Sequence, residues 1–335
     1  MTDSVPASAA ASVSVALCTY NGERFIAEQL RSILSQSERI AEIVVADDGS
    51  TDATLEIVRS VAAAAQAEGI VVEIRILDGP GGNGVTKNFE RAVLACRSEL
   101  IALSDQDDVW RPDRLALQLA EFDSRADLSL LFGDARLVDE TGTALGSTLF
   151  DTLEVTDAAR AALHQGEALG LLLRRNIVTG ATVLFRRSLL HAAVPFPAEW
   201  IHDEWLAIIA SATGRVDLID QELTDYRQHG SNEIGVRAPT FGNKVRRVLQ
   251  PRGSRNRDLA VRARLLAERF VALQLEVALV QVARGKADFE LFRADLSPSR
   301  IRRVIPVLRR AATGDYERYA SQGRTDVLRD LFQPA

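Results

Sequence analysis

From residue 13 onward the chain alternates short apolar runs with amphipathic stretches. VSVALCT (13–19), EIVVA (42–46), IVVEIRIL (70–77) and ELIAL (99–103) are compact and rich in branched apolar residues, and each predicts a buried strand. RFIAEQLRSILSQ, TDATLEIVRSVAAAAQ and VTKNFERAVLACR lie between them and repeat apolar residues at helical spacing. RPDRLALQLAEF follows the fourth run and predicts a helix with Pro112 in its first turn. Strands alternating with helices predict an α/β fold, a mostly parallel sheet covered on both faces. Ligands of such sheets bind beyond the carboxyl ends of the strands. The segments TYNGE, DDGSTD, GPGGNG and SDQDD each follow a strand and are therefore expected to line one crevice.

Beyond residue 128 the pattern is less regular. LSLLFGDARLVDE predicts a strand and a turn, IVTGATVLFRRSLL a strand running into a helix, and HDEWLAIIASATG a helix. RVDLI predicts a strand and ELTDYRQHGSN another, ending in a polar loop. From residue 236 the expectation is mostly helix. The expected organisation is a flexible N-terminus (1–12), an α/β domain (13–235) and a basic, mostly helical extension (236–335).

Composition adds limits. Of 335 residues, 47% are apolar and 26% charged, which suits a sizeable core and argues against global disorder. The opening MTDSVPASAAAS lacks the basic start and long apolar stretch of a signal peptide, and no apolar window reaches the ~18 residues of a membrane span. The expected location is cytoplasmic. Cys18 and Cys96 are the only cysteines, both in apolar runs, and read as buried thiols of a reducing compartment. The net charge of −6 conceals an asymmetry: residues 1–235 hold 19 Lys+Arg against 36 Asp+Glu, and residues 236–335 hold 21 against 10. An acidic body carrying a basic tail suggests two surfaces. The overall acidity and the lack of any nucleic-acid module exclude nucleic acid as a partner.

The chemistry concentrates at the strand ends. SDQDDVW packs Asp105, Asp107 and Asp108 into four positions, and carboxylates converging there are hard oxygen donors for Mg²⁺ or Mn²⁺, with phosphate and water completing the coordination. Alone, the same triplet also fits a solvated acidic turn. Asp47 and Asp48 end the neighbouring strand, where a carboxylate can accept from a base N–H or ribose hydroxyls, while Ser50 and Asp52 suit a helix cap. Thr19, Tyr20, Asn21 and Glu23 end the first strand; Tyr20 offers a ring to stack on a base, and Glu23 also suits the first turn of a helix. GPGGNG fits G-x-G-x-x-G, but it follows the third strand and holds Pro80 inside the turn, so a dinucleotide fingerprint is disfavoured.

In this order, on successive strand ends, these segments resemble the family 2 glycosyltransferases of the GT-A fold. VALCTYNGERFIAEQLRSILSQ, EIVVADDGSTDATLEIV and LIALSDQDDVWRPDRL carry the likeness, and GATVLFRRSL, HDEWLA and YRQHGSN extend it to about residue 235. The spelling is most similar to the bacterial rhamnosyltransferase-type branch, which builds cell-surface polysaccharide. The resemblance implies an inverting, metal-dependent transferase with a dTDP- or UDP-linked sugar donor and a glycan acceptor, which a lipid carrier would suit. It implies that Thr19, Tyr20, Asn21, Glu23 and an acid of the Asp47–Asp48 pair hold the nucleotide. Lys87 and Gly180 would face the donor, with Asp105 near the ribose and diphosphate. Asp107 would be the principal ligand of the divalent metal, His229 would reach that metal or the diphosphate, and Arg227 would pair with phosphate. Asp203 aligns with the base that takes the acceptor proton; His202 stands where the family has Glu, and Glu204 is the neighbouring acid. Trp110 and Trp205 offer flat faces to an acceptor sugar and equally suit a core. The alternatives from other classes are a nucleotidyltransferase and a non-catalytic glycan- or partner-binding module.

The tail holds KVRRVLQPRGSRNR and SRIRRVIPVLRR. In the second, Ile301, Val304, Ile305 and Leu308 share one helical face among arginines, although Pro306 weakens the helix. Such a segment suits peripheral contact with an anionic membrane surface or packing on the acidic body.

Overall fold

The structure is a computed structural model and describes residues 12–230 and 254–334. The expected boundary at residues 235 and 236 and most of KVRRVLQPRGSRNR lie outside the described residues. The strands are β1 (Val13–Thr19), β2 (Ile40–Asp47), β3 (Glu73–Ile76), β4 (Leu100–Ser104), β5 (Val109–Trp110), β6 (Leu128–Val138), β7 (Ala144–Thr148), β8 (Leu184–Arg186) and β9 (Arg215–Arg227). They form one sheet in the order β3-β2-β1-β4-β8-β6-β9-β5, with β7 paired to β6. β3, β2, β1 and β4 run parallel, as do β6 and β9. β8 joins these two parallel blocks by pairing antiparallel to both β4 and β6.

The period-two geometry of a strand explains why β1 and β2 are apolar throughout: successive side chains enter cores on opposite faces. Ala16, Cys18, Val44 and Ala46 belong to one core, and Val15, Leu17, Ile43 and Val45 to the other. The second core is closed by helices α1 (Ile26–Leu34), α2 (Thr54–Ala67) and α4 (Arg114–Ser124), and the first by α3 (Val85–Ala95) and α5 (His202–Thr213). Cys18 and Cys96 are buried and free, and burial pushes the Cys96 thiol up to about 12.

The tail supplies α6 (Arg255–Ala272), α7 (Val277–Ala294), α8 (Arg300–Ala312) and α9 (Arg324–Phe332). Leu266, Ala267 and Phe270 of α6 and Ala283 of α7 join the first core of the body. Phe289, Leu296, Val307, Tyr316 and Tyr319 make a smaller core of their own. Beside it Arg293 pairs with Asp330 (2.7 Å), which also accepts from the Tyr316 hydroxyl (2.8 Å).

Several boundaries differ from the sequence expectations. Pro112 lies two residues before Arg114, the first residue of α4, with Asp113 at the N-cap, rather than in the helix's first turn. β3 keeps only four residues of the expected eight-residue run. RVDLI and ELTDYR form one strand, β9, because β6 pairs along its whole length. The IVTG segment is not a strand but ends in a tight turn at Gly180–Thr182 before β8. Pro306 lies inside α8 without ending it.

Candidate active site

A cleft of about 1220 Å³ opens beyond the ends of β1, β2 and β4. All four strand-end segments contribute to it: Thr19, Tyr20 and Asn21 from the first, Asp48 from the second, Gly84 from the third, and Asp105, Gln106 and Asp107 from the fourth. Gly180, His202, Asp203, Glu204, Tyr226 and His229 line it from the second half of the chain.

Local chemistry fixes each wall. Asp47 is buried, and its two oxygens accept from Thr19 Oγ1 (2.7 Å), Ser50 Oγ (2.5 Å), Gly49 N (3.0 Å) and Ser50 N (2.8 Å). Asp48 accepts from Asn83 N (2.9 Å) and Gly84 N (3.0 Å), and so fastens the GPGGNG loop to the end of β2. That loop passes so close that a Cβ on Gly81 would stand 2.2 Å from the Asp48 carbonyl carbon, and glycine is therefore required there. Asn21 has a left-handed backbone (φ 46°), which asparagine tolerates, and its side-chain carbonyl accepts from Thr51 N (2.9 Å). Glu23 does not line the cleft; it accepts from Ala53 N (3.0 Å) at the start of α2. Lys87 also points away, donating to Glu90 Oε2 and the Phe196 carbonyl (both 2.6 Å).

At the end of β4, Asp107 Oδ2 meets His229 Nε2 at 2.8 Å, and the His229 ring stacks on Phe25 with centroids 4.8 Å apart. The loop histidine and the central acid, 122 residues apart in sequence, thus share one place. Arg227 is buried beneath them and does not itself line the cleft, but braces residues that do. It donates from Nε to the Asp107 carbonyl (2.8 Å), from Nη1 to the Glu140 carbonyl (3.0 Å) and from Nη2 to Glu28 (2.8 Å). Asp108 is fully buried; desolvation, then Asp107 and Asp105, push its carboxyl well up, while it accepts from Arg227 N (3.1 Å). Arg114 lies deeper still, donating to the Ala181 carbonyl (2.6 Å), with burial lowering its guanidinium to about 9. Its guanidinium sits 3.7 Å from the centre of the Trp110 ring.

On the opposite wall α5 presents its first turn. Asp203 accepts at Oδ2 from Gly180 N (2.8 Å) and at Oδ1 from Glu204 N (2.6 Å), so two backbone amides fix the plane of its carboxylate. Burial raises the Asp203 carboxyl, against the lowering pulls of His202, the Gly180 amide, its own amide and Arg262. A Cβ on Gly180 would stand 2.9 Å from His202 Nε2, so only glycine admits this approach. His202 stacks on Phe89 with centroids 3.7 Å apart, and burial drives its imidazole down to about 4. Glu204 is ion-paired to Arg262 of α6, whose guanidinium lies 4.3 Å from the Trp200 ring centre.

The structure therefore brings Thr19, Tyr20, Asn21, Asp48, Asp105, Asp107, Gly180, Asp203, Glu204 and His229 to one cleft, and leaves Glu23, Asp47, Lys87 and Arg227 in bracing roles around it. Trp110 and Trp205, which suited either an acceptor-facing role or the core, sit in the core. Trp110 is 2% exposed beneath Arg114, and Trp205 is fully buried with its indole N–H on the Ala193 carbonyl (2.7 Å). Sequence reasoning passed over Gln106, although it stands inside SDQDD. Its amide accepts from Tyr20 N (2.8 Å) and donates to the Tyr20 carbonyl (2.9 Å), tying the first and fourth strand ends together. Arg24, Glu140, Arg175 and Asn176 also line the cleft, and no motif marks them. No group of three or more His, Cys, Asp or Glu side chains among the described residues is already arranged to hold a metal.

An α/β sheet with this cleft at its carboxyl edge has the GT-A fold. A mannosyltransferase from Pyrobaculum calidifontis, solved with GDP-Man and Mn²⁺, aligns with a TM-score of 0.51 at 18% identity, over 96% of this chain and 84% of that one. TarS from S. aureus, solved with UDP-GlcNAc, aligns at 0.50 and 19%, over 95% and 89%. The sequence model described as glycosyl transferase family 2 matches residues 14–192, more than half of the chain, which therefore belongs to that family. Among curated relatives, a dTDP-rhamnosyl transferase of Shigella flexneri, RfbG, is 29% identical over 244 residues, 69% of this chain and 78% of that one. An uncharacterized glycosyltransferase of Nostoc sp. is 27% identical over 230 residues, 66% of each chain. A Mycobacterium tuberculosis protein is 27% identical over 224 residues, 65% of this chain and 59% of its own, so the match spans less than two thirds of each of these last two relatives.

Proposed function

We propose that this protein transfers a sugar from a nucleoside-diphosphate sugar to a hydroxyl of a growing glycan, with inversion at the anomeric carbon. The observation that carries this reading is the pairing of two unlike walls across one cleft: Asp107 against His229 on one side, and the burial-raised, amide-fixed Asp203 on the other. Asp203 takes the proton of the acceptor hydroxyl as its oxygen bonds to the anomeric carbon, and the bond from that carbon to the diphosphate oxygen breaks. A carboxyl raised by burial is a stronger base than an exposed aspartate.

The nucleotide lies on the first wall, where Tyr20, 57% exposed, offers a stacking face and Thr19 and Asp48 border the cleft. A divalent cation fits the donor set there. A carboxylate and an imidazole converge from two chain segments, Asp105 lies on the same strand end, and Mg²⁺ or Mn²⁺ takes few protein ligands when a diphosphate supplies the rest. Such an ion neutralises charge on the departing diphosphate. The named activity of the Shigella relative supports a dTDP-linked deoxyhexose such as rhamnose as donor, and TarS, solved with UDP-GlcNAc, keeps a UDP-linked donor in view; a cell-surface glycan as acceptor is part of our proposal. In this reading the transfer takes place on the cytoplasmic side of the membrane. No helix among the described residues is long and apolar enough to cross one.

The test is a donor panel with Mn²⁺, read as release of nucleoside diphosphate, beside calorimetry of nucleoside diphosphate with and without Mn²⁺. Turnover of one sugar nucleotide and metal-dependent binding are expected. Failure to bind any nucleoside diphosphate in the presence of Mn²⁺ overturns the reading.

A further inference from the structure

The helix α8 has the sequence RIRRVIPVLRRAA, with five arginines and no acid. Its fold-facing side is defined by Val307 and Arg303, both fully buried, with Arg303 Nη2 donating to the Gln333 carbonyl (2.8 Å). The outward side is apolar. Ile301 is 85% exposed, Ile305 63%, Leu308 52% and Val304 40%, at the i, i+3, i+4, i+7 spacing that makes one continuous stripe. Arg302 and Arg309 flank this stripe and Arg300 stands at the helix start; all three are exposed and join no ion pair among the described residues. Three acids of the tail are occupied elsewhere: Asp315 by Arg310 (2.7 Å), Glu317 by Arg324 (2.8 Å) and Asp330 by Arg293 (2.7 Å). The packed neighbour α9 leaves Leu328 and Phe332 about half exposed as well.

A water-facing helix gains nothing by turning four large apolar side chains outward, and unpaired arginines beside them favour a surface that is both negative and greasy. We propose that α8 is an interfacial helix that seats the protein on an anionic lipid surface, with Ile301, Val304, Ile305 and Leu308 entering the headgroup boundary and Arg300, Arg302 and Arg309 meeting lipid phosphates. The acidic body does not compete for this face among the described residues, because none of its carboxylates pairs with Arg300, Arg302 or Arg309. The helical unit that carries the stripe also reaches the cleft, since Gln322, in the turn before α9, lines it.

The experiment is flotation of the full chain with vesicles of phosphatidylcholine alone or of phosphatidylcholine with phosphatidylglycerol. The wild type is expected to float with the anionic vesicles, to stay behind with the neutral ones and to be released by salt. I301S/I305S/L308S and R300E/R302E/R309E are each expected to weaken anionic-vesicle binding at least about tenfold. Unchanged thermal melts show that both variants fold; if the first does not fold, the second, altered only at exposed charges, still decides. Equal binding to both vesicle types, binding to neither, or wild-type binding by both variants overturns the proposal. So does a wild-type dimer that I301S/I305S/L308S converts to monomers, which would give the stripe to a second copy. The readout needs no sugar transfer, so it stands or falls apart from the function proposed above.

Discussion

At the end of β2, Asp47 gives both carboxylate oxygens to the hydroxyls and amides of its own and the adjoining loop, and Asp48 holds the amides of the glycine-rich loop. At the end of β4, Asp107 faces the cleft against His229, while the carbonyl behind it is held by Arg227. Both clusters are paired acids after an apolar parallel strand. What separates them is the supply of backbone N–H groups. Loops that turn amides inward consume carboxylates as mortar, whereas the β4 end is stiffened from beneath by Arg114 and Arg227 and leaves a carboxylate oxygen for something brought in from outside.

If that division is right, substitutions in the two clusters fail in different ways. The largest effect is expected for Asp107→Ala: turnover falls on the order of a thousandfold with little change in melting temperature, read by nucleoside diphosphate release beside a thermal melt. Chelation of the wild type should reproduce that loss, and added Mn²⁺ should reverse it. Asp203→Ala should lower turnover by roughly a few hundredfold while the calorimetric affinity for nucleoside diphosphate stays put, since a base acts only once the acceptor is engaged. Because burial raises the Asp203 carboxyl, the wild-type rate should fall on the acid side of neutrality, at higher pH than an exposed aspartate would allow. A rate independent of pH down to the ordinary aspartate range would remove Asp203 from the mechanism.

Asp47→Ala should show the opposite signature to Asp107→Ala. Stability drops on the order of 2 to 3 kcal/mol, from two stranded amides and two hydroxyls, measured by denaturant titration. A full-strength fold with lost nucleotide binding would break the comparison.

The smallest effect concerns His202. Its imidazole is held down at about 4, so as pH falls below the ordinary histidine value the unfolded chain takes up a proton that the folded chain refuses. This term removes stability through that window and amounts to about 2 kcal/mol by about pH 4.5. The raised Asp203 carboxyl acts in the other sense, adding stability as acid arrives. His202→Gln should therefore make the protein relatively more acid-resistant, seen as a smaller fall in the denaturation midpoint from neutral to acid pH.

The regular half of this fold was legible because both faces of β1, β2 and β4 are buried, and runs of five to eight residues, rich in apolar side chains and followed by polar turn segments, are too short for buried helices. The strand-end rule then collected four loops into one cleft with no geometry in hand. The distinction between Asp47 and Asp107 was not legible: nothing local in DDGST or SDQDD says which amides will turn toward which acid. The same limit applied to Arg227, a guanidinium expected on phosphate and found bracing three chain segments, and to the tryptophans, whose burial depends on Arg114 and α5. The antiparallel entry of β8 was hidden because three residues are too few to show a period.

Arg227 ties residues that are made at opposite ends of translation: its partner Glu28 emerges 199 positions earlier. Ribosomes release chains from the N-terminus, so the β4 acids must wait for another 120 residues before their brace arrives and 122 before their histidine does. Until then the β4 end has Arg114 beneath it but neither Arg227 nor His229, and β9, whose last residue is Arg227, has not joined the sheet. The mouth of the cleft is thus finished by the same strand that completes the sheet, and a ribosome stalled upstream of residue 227 would display neither.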